Sequence, residues 1–293
     1  MIGLRTAGWG GRTVLVLGVV LTGYLLSLEA PASATLQFSD VTGSLNGLSD
    51  RDGATPQDGL TWGILVDTTG SGFGGFKIRV ELDEGVELSD GGELASGYVF
   101  YYGNTTTFWP IGVNTGSGAV TETPSLPLDG GERFAVIWFD AGIGVGENLP
   151  AGAYYGLVTH PDFEIPPGGG NVAFASLFPE TDPPVRAADG RCKAGSPRGA
   201  VAKVVAAGGQ RYLAMDLRVF NDSVTGSDPE AGIGAEIVMQ ASETMAAGSW
   251  QDLGVVPEVL SDDGTWSVWR FVPPCAIGVC PREYFRLRSQ LKE

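Results

Sequence analysis

The segment FKIRVEL, residues 76–82, alternates without a break: Phe76, Ile78, Val80 and Leu82 share one parity, and Lys77, Arg79 and Glu81 the other. A period of two sends successive side chains to opposite faces of an extended chain, so the segment predicts a strand with one dry and one wet face. RFAVIWFD, residues 133–140, is apolar at both parities and predicts a central strand covered on both faces. YVFYY at 98–102, AYYGLVT at 153–159 and NVAFASLF at 171–178 add aromatic and β-branched strand candidates. Clusters such as LSDGGE and LPLDGGE lie between them and supply turn residues. No convincing amphipathic helix lies between Thr35 and Phe178.

One motif stands apart. After the apolar run WGILVD comes Gly70-Ser71-Gly72-Phe73-Gly74-Gly75, which fits the dinucleotide pattern G-x-G-x-x-G. That pattern binds pyrophosphate only when a helix N-terminus follows its glycines. Here the period-two segment FKIRVEL follows, with no βαβ alternation around it. The stretch therefore predicts a β-hairpin: strand 62–68, a glycine turn, strand 76–82.

The pattern changes at 179–199, PETDPPVRAADGRCKAGSPRG, which is rich in Pro, Gly and charge and reads as a linker. Beyond it YLAMDLRVF, residues 212–220, alternates again, and AEIVMQAS, SWQDLGVV, TWSVWRFV and EYFRLRSQ follow with turn signals between them. This spacing predicts a second, smaller sandwich. The expected architecture is all-β: residues 1–34 a signal peptide, 35–180 a larger sandwich or jelly-roll, 181–198 a linker, and 199–293 the smaller sandwich.

The tail carries a resemblance. Ile237-Val238-Met239-Gln240-Ala241-Ser242, then Ser249-Trp250-Gln251-Asp252-Leu253, then Pro281-Arg282-Glu283-Tyr284-Phe285-Arg286-Leu287-Arg288 resemble the C-terminal modules of many large secreted bacterial proteins, which end in a strand close to FFRL. The resemblance covers about the last 60–90 residues. It implies a fibronectin-type-III-like sandwich acting as an accessory or surface module. Met245 stands where those modules carry Leu, and the Cys275–Cys280 insert departs from them. The N-terminal part resembles β-rich exported domains of unknown activity, whose loops carry aspartates where this chain has Thr69 and Ser71. The resemblance implies a class and a location, and brings no catalytic residues.

The chain ends sharpen the location. Arg5 and Arg12 precede the apolar stretch Val14 to Leu28, which is too short to span a bilayer comfortably, and Ala32-Ser33-Ala34 follows. These are the three parts of a secretory signal, with cleavage expected before Thr35; the other reading is an uncleaved membrane anchor. The C-terminus, LRSQLKE, is polar, so no membrane span is expected after cleavage. The full chain carries a net charge of −16, and removing the expected signal, with its two Arg and one Glu, leaves −17. Such a surface repels phosphate backbones, which argues against nucleic-acid partners, and attracts divalent cations weakly. An oxidising compartment permits a Cys275–Cys280 disulfide, whose short loop would contribute about 2 kcal/mol on the chain-entropy model. Cys192 is then left over, either free or paired between molecules.

Enzyme signatures are nearly absent. His160 is the only histidine, no G-x-S-x-G elbow exists, and a zinc site of the H-E-x-x-H type would need a second histidine. His160, before Pro161, reads as a turn residue. Nothing in the sequence singles out a carboxylate pair for glycoside hydrolysis. LSDRDGATPQDG sets Asp50, Asp52 and Asp58 in a glycine-containing loop. It has two readings: a loose structural Ca2+ site, or ordinary capping of a turn by aspartate side chains. It is no EF-hand, because Ala54 and Thr61 occupy the fifth and twelfth positions. GYVFYYGNTTTFWP offers Tyr101 and Trp109 as exposed rings for stacking on sugar faces, with burial in the core as the other reading of its aromatics. The sequence thus points to an exported, non-catalytic surface, matrix or binding protein whose partner is an extracellular glycan or another surface protein. The competing class is a lectin-like protein or a carbohydrate-active enzyme using a carboxylate pair.

Overall fold

The computed structural model describes residues 34–35, 47–54, 59–105, 107–111, 115–119, 125–126, 128, 130–140, 143–167, 186–224, 234–279 and 284–291. The expected signal peptide up to Ser33, the candidate strand 171–178, Asp58 and Cys280 lie outside these residues, and so does the expected Cys275–Cys280 bridge. The described residues are all-β. In chain order the strands are β1 (Ala34–Thr35), β2 (Thr61–Asp67), β3 (Arg79–Val80), β4 (Gly92–Ala95), β5 (Tyr98–Thr105), β6 (Thr107–Ile111), β7 (Thr115–Ala119), β8 (Ser125–Leu126), β9 (Arg133–Phe139) and β10 (Tyr154–Val158). The second half continues with β11 (Gly190–Arg191), β12 (Lys193–Ala194), β13 (Val201–Ala207), β14 (Gln210–Phe220), β15 (Ala235–Ser242), β16 (Gln251–Asp252), β17 (Glu258–Asp262), β18 (Trp266–Phe271) and β19 (Tyr284–Leu291). One 3-10 turn, Asn221–Ser223, follows β14.

A curled six-stranded sheet, ordered β11-β10-β9-β2-β5-β4, organises the first half. As its sequence predicts, β9 is central, and from Phe134 to Phe139 it is buried on both faces. Its neighbour β2 is buried on both faces from Trp62 onward. One face carries Trp62, Ile64, Val66, Phe134, Val136 and Trp138 into an apolar cluster with Leu48, Phe163 and Ile165. The other face carries Leu65, Phe100, Ala135, Ile137 and Phe139 into the larger cluster.

The hairpin predicted across the glycine turn does not form. Strand β2 pairs with β5 on one side and β9 on the other. Residues 76–82 leave the sheet, and only Arg79–Val80 is extended there, in parallel pairing with β12. The reason lies in the patterns themselves. A strand apolar at both parities needs both faces covered, which the middle of a packed sheet provides, whereas 76–82 has only one dry face and can lie at the surface of a second layer. Its four apolar side chains, Phe76, Ile78, Val80 and Leu82, are all buried, and they pack as a second layer onto the sheet. Alternation alone thus gives the dry face of 76–82 but not its partner.

In the second half a four-stranded sheet, β13-β14-β18-β17, accompanies a three-stranded sheet, β16-β15-β19. Leu217, Val219, Ile237, Met239 and Phe271 from these strands belong to the same apolar cluster as Leu65 and Ile78. On β14, Asp216 is 6 % exposed. Arg270 of β18 grips it with two hydrogen bonds of 2.7 and 2.8 Å, and the Lys203 ammonium lies 2.8 Å away. The Arg270 hydrogen bonds, helped by Lys203, hold its carboxyl down to about 2 despite burial.

Residues 186–199, within the stretch read as a linker, contribute β11 to the six-stranded sheet and β12 to the β3 pair. Between them Cys192 is free and fully buried, and burial pushes its thiol up to about 12. Thiolate is the reactive form, so Cys192 is expected to resist alkylation at neutral pH in the native protein and to react fully in denaturant. Peptide mapping after a timed maleimide exposure reads this directly. Native labelling of Cys192 within minutes would contradict the packing described.

Candidate ligand-binding cleft

The glycine motif is built around one carboxylate. Asp67 closes β2 and is 2 % exposed. Its Oδ1 accepts hydrogen bonds from the Thr69 N–H (2.8 Å), the Thr69 hydroxyl (2.7 Å) and the Gly70 N–H (3.1 Å). Its Oδ2 accepts one from the Gly72 N–H at 2.5 Å. Burial alone would raise the pKa of this group; the hydrogen bonds outweigh it and hold the carboxyl below the usual range. Gly72, at φ 74°, sits in left-handed backbone that favours glycine. The Tyr98 hydroxyl then donates to the Gly72 carbonyl at 2.6 Å, and the Phe73 ring leans on Tyr98 with centroids 5.6 Å apart.

This explains why G-x-G-x-x-G is no phosphate cradle here. The N–H groups of residues 69, 70 and 72 already serve a resident anion. The N–H groups of Phe73 and Gly74 remain, and they make no hydrogen bond among the described residues.

A second turn faces this loop. After β10 the chain runs Thr159-His160-Pro161-Asp162-Phe163. The Asp162 N–H donates to His160 Nδ1 at 3.1 Å, and the Phe163 N–H to the His160 carbonyl at 3.0 Å. With Nδ1 accepting, the neutral ring carries its proton on Nε2. Phe163 anchors the turn by stacking on Phe134, 4.7 Å between centroids and 7° between planes. His160 is thus the turn residue expected from sequence, and Asp162 Oδ2 lies 3.6 Å from its ring nitrogen.

Between loop and turn lies an open cleft of about 410 Å³, lined by Gly72, Phe73, Gly74, Arg133, Leu157, Thr159 and His160 among others. Arg133 is exposed at the first position of β9. Among the described residues no carboxylate stands within ion-pair distance of its guanidinium. In a chain of net charge −16, an arginine lining a cleft with no ion pair among the described residues is notable. Register brings the parts together. Asp67 and Arg133 are directly opposite in the β2–β9 ladder, and β10 runs antiparallel to β9 with Val158 opposite Val136. The segments following β2 and β10 therefore both emerge beside the start of β9.

The residues singled out in sequence are placed elsewhere. The Asp50 carboxylate accepts from the N–H groups of Asp52 (2.9 Å) and Ala54 (2.8 Å), which is turn capping. Asp52 is exposed and pairs with Arg51 at 3.6 Å. Among the described residues no three metal-ligating side chains converge. Tyr101 is half-buried rather than a freely exposed ring: it packs against the cluster around Trp62 and Trp138, and burial, with Asp90 and Glu132 nearby, raises its hydroxyl pKa. Trp109 lies on β6, opposite Ser117 of β7 in a two-stranded ribbon. Arg133, Phe73 and Thr159 were not singled out in sequence. The one available signal was a cation leading an otherwise wholly apolar strand. No family model, no curated protein and no solved structure matches the chain.

Proposed function

We propose that this is an exported, non-catalytic binding protein of the cell surface or extracellular matrix, and that the cleft beside Arg133 is where it holds its ligand. The observation that carries the reading is the pairing of what the cleft offers with what it lacks. Its lining includes Arg133, which forms no ion pair among the described residues, Phe73 and Gly74, whose N–H groups make no hydrogen bond among them, and Thr159 with its hydroxyl, all groups suited to recognition. Among the described residues, no carboxylate lines it. Wherever an aspartate is perturbed among the described residues (Asp67, Asp216, Asp262 and Asp263), hydrogen bonds hold it ionised, the opposite of a general acid.

The wider architecture belongs to the same proposal. The four-stranded and three-stranded sheets of the second half suit a fibronectin-type-III-like accessory module, and the first half suits the ligand-bearing domain. Export rests on the leading segment up to Ala34. A glycan and peptide array, probed with the secreted protein and with Arg133→Met, tests the seat of binding. The variant is expected to lose the signals that the parent gives while keeping the parent's melting temperature. An unchanged binding profile would place the ligand elsewhere.

A further inference from the structure

The chemistry of the cleft also narrows the ligand, on the reading that this cleft is the binding seat. We propose that it takes a small saccharide carrying an oxyanion, with the anion on Arg133 and the sugar ring against Phe73 and Pro161.

Charge decides the first half of this. The chain is strongly acidic overall, and acids stand near the cleft: Asp67 below the loop, Asp162 on the opposite turn, and Glu164 opposite Arg133 in an isolated bridge. Each could have neutralised the arginine. Asp67 is bound by its own loop, and Asp162 forms no ion pair with Arg133 among the described residues. Glu164 is exposed and forms no ion pair with Arg133. The guanidinium therefore keeps its forked donors for an incoming group, and carboxylate, sulfate and phosphate all match that fork. Phe73 and Gly74 line the cleft, and their N–H groups, which make no hydrogen bond among the described residues, are further donors. Gly74 contributes no side chain to shield them, and a Cβ built there would meet nothing within 4 Å.

Shape decides the second half. The remaining lining mixes flat or compact apolar groups (Phe73, Leu157, Pro161) with a hydroxyl on Thr159 and the His160 ring. Phe73 is half-buried, supported by Tyr98. A pyranose ring has both an apolar face and a rim of hydroxyls, and such a mixed wall suits it better than it suits a bare ion. The cleft, about 410 Å³, has room for one or two sugar rings.

The test is a titration of the full secreted chain, followed by calorimetry and by amide shifts in NMR, with glucuronate, glucose 6-sulfate, glucose 6-phosphate, glucose and inorganic sulfate as probes. At least one charged sugar is expected to bind ten-fold or more tightly than glucose and than inorganic sulfate, with shifts at residues 72–74 and 159–160. Which of the three charged sugars binds best identifies the oxyanion. Arg133→Met is expected to bring the charged sugar to the level of glucose without changing the melting temperature, and Arg133→Lys to recover part of the preference. Equal binding of glucose and the charged sugars would overturn the anionic class while leaving the cleft as the seat. Sulfate alone binding as tightly as the sugars would overturn the saccharide. No binding by any probe, or charged-sugar binding that Arg133→Met leaves intact, would overturn both this inference and the placement of the seat.

Discussion

Alanine at Gly156 is expected to destabilise the protein by about 3 kcal/mol, the upper end for overpacking a core. Gly156 of β10 lies directly opposite Trp138 of β9. The indole lies across the glycine so closely that a Cβ there would come within 1.9 Å of Trp138 Cζ2 and 2.1 Å of Cε2. Trp138 is 1 % exposed, and its Nε1–H donates to the Ser49 carbonyl at 2.9 Å. To admit the methyl group the ring must turn, which breaks that bond and disturbs the cluster holding Leu48 and Trp62. Alanine's better fit to a strand would return less than about 1 kcal/mol. Trp138→Ala alone is expected to cost about 4 kcal/mol through the cavity it leaves. The double variant should then cost at least about 1 kcal/mol less than the sum of the two, because the new methyl fills part of the space that the indole vacates. Urea unfolding of the three variants measures this. A Gly156→Ala protein within experimental error of the parent would show that the ring has room to move.

The same pair marks what a sequence can and cannot disclose. AYYGLVT reads as a strand from its aromatics, and RFAVIWFD as a central one from its double-sided apolar pattern. Their adjacency, with Gly156 set under Trp138, depends on register, which no local pattern encodes. WGILVD was legible as a strand for the same reason as RFAVIWFD. Its partners were not, because 76–82 is nearer in sequence than either β5 or β9. Turn chemistry, being local, was readable: Asp50 caps its turn as one of the two readings of that loop had it. The cleft was unreadable for the opposite reason. Gly72–Gly74, Arg133 and Thr159–His160 come from three separate segments, and only the β10-β9-β2 order places them at one end of the sheet. Asp67 gains its meaning from hydrogen bonds to residues two to five positions onward, which no alternation pattern marks.

Asp67→Ala is the second large effect, expected at about 3 kcal/mol, since hydrogen bonds to a charged group contribute about 1.5–3 kcal/mol each and water can replace some of those lost at the exposed loop. Four bonds disappear together, three of them from backbone N–H groups. Asp67→Asn should cost less, because its amide oxygen can keep the Oδ1 bonds while its NH2 faces the Gly72 N–H, donor against donor. Acid gives an independent check. A carboxyl whose folded pKa lies below its unfolded value contributes stability that is present above the unfolded value, near 3.8 for an aspartate, and lost as pH falls through the folded one. Asp67 and Asp216 are both lowered, Asp216 to about 2, so the parent should lose stability progressively below pH 4. Asp67→Ala removes one of these contributions, leaving those of Asp216, Asp262 and Asp263, and should show a shallower fall over that window, from a lower starting point. The loop also lines the cleft, so the variant should weaken the ligand binding proposed there at neutral pH even where the protein is fully folded. Parallel acid profiles for parent and variant would mean that the carboxylate at the centre of the glycine loop does not hold it in shape.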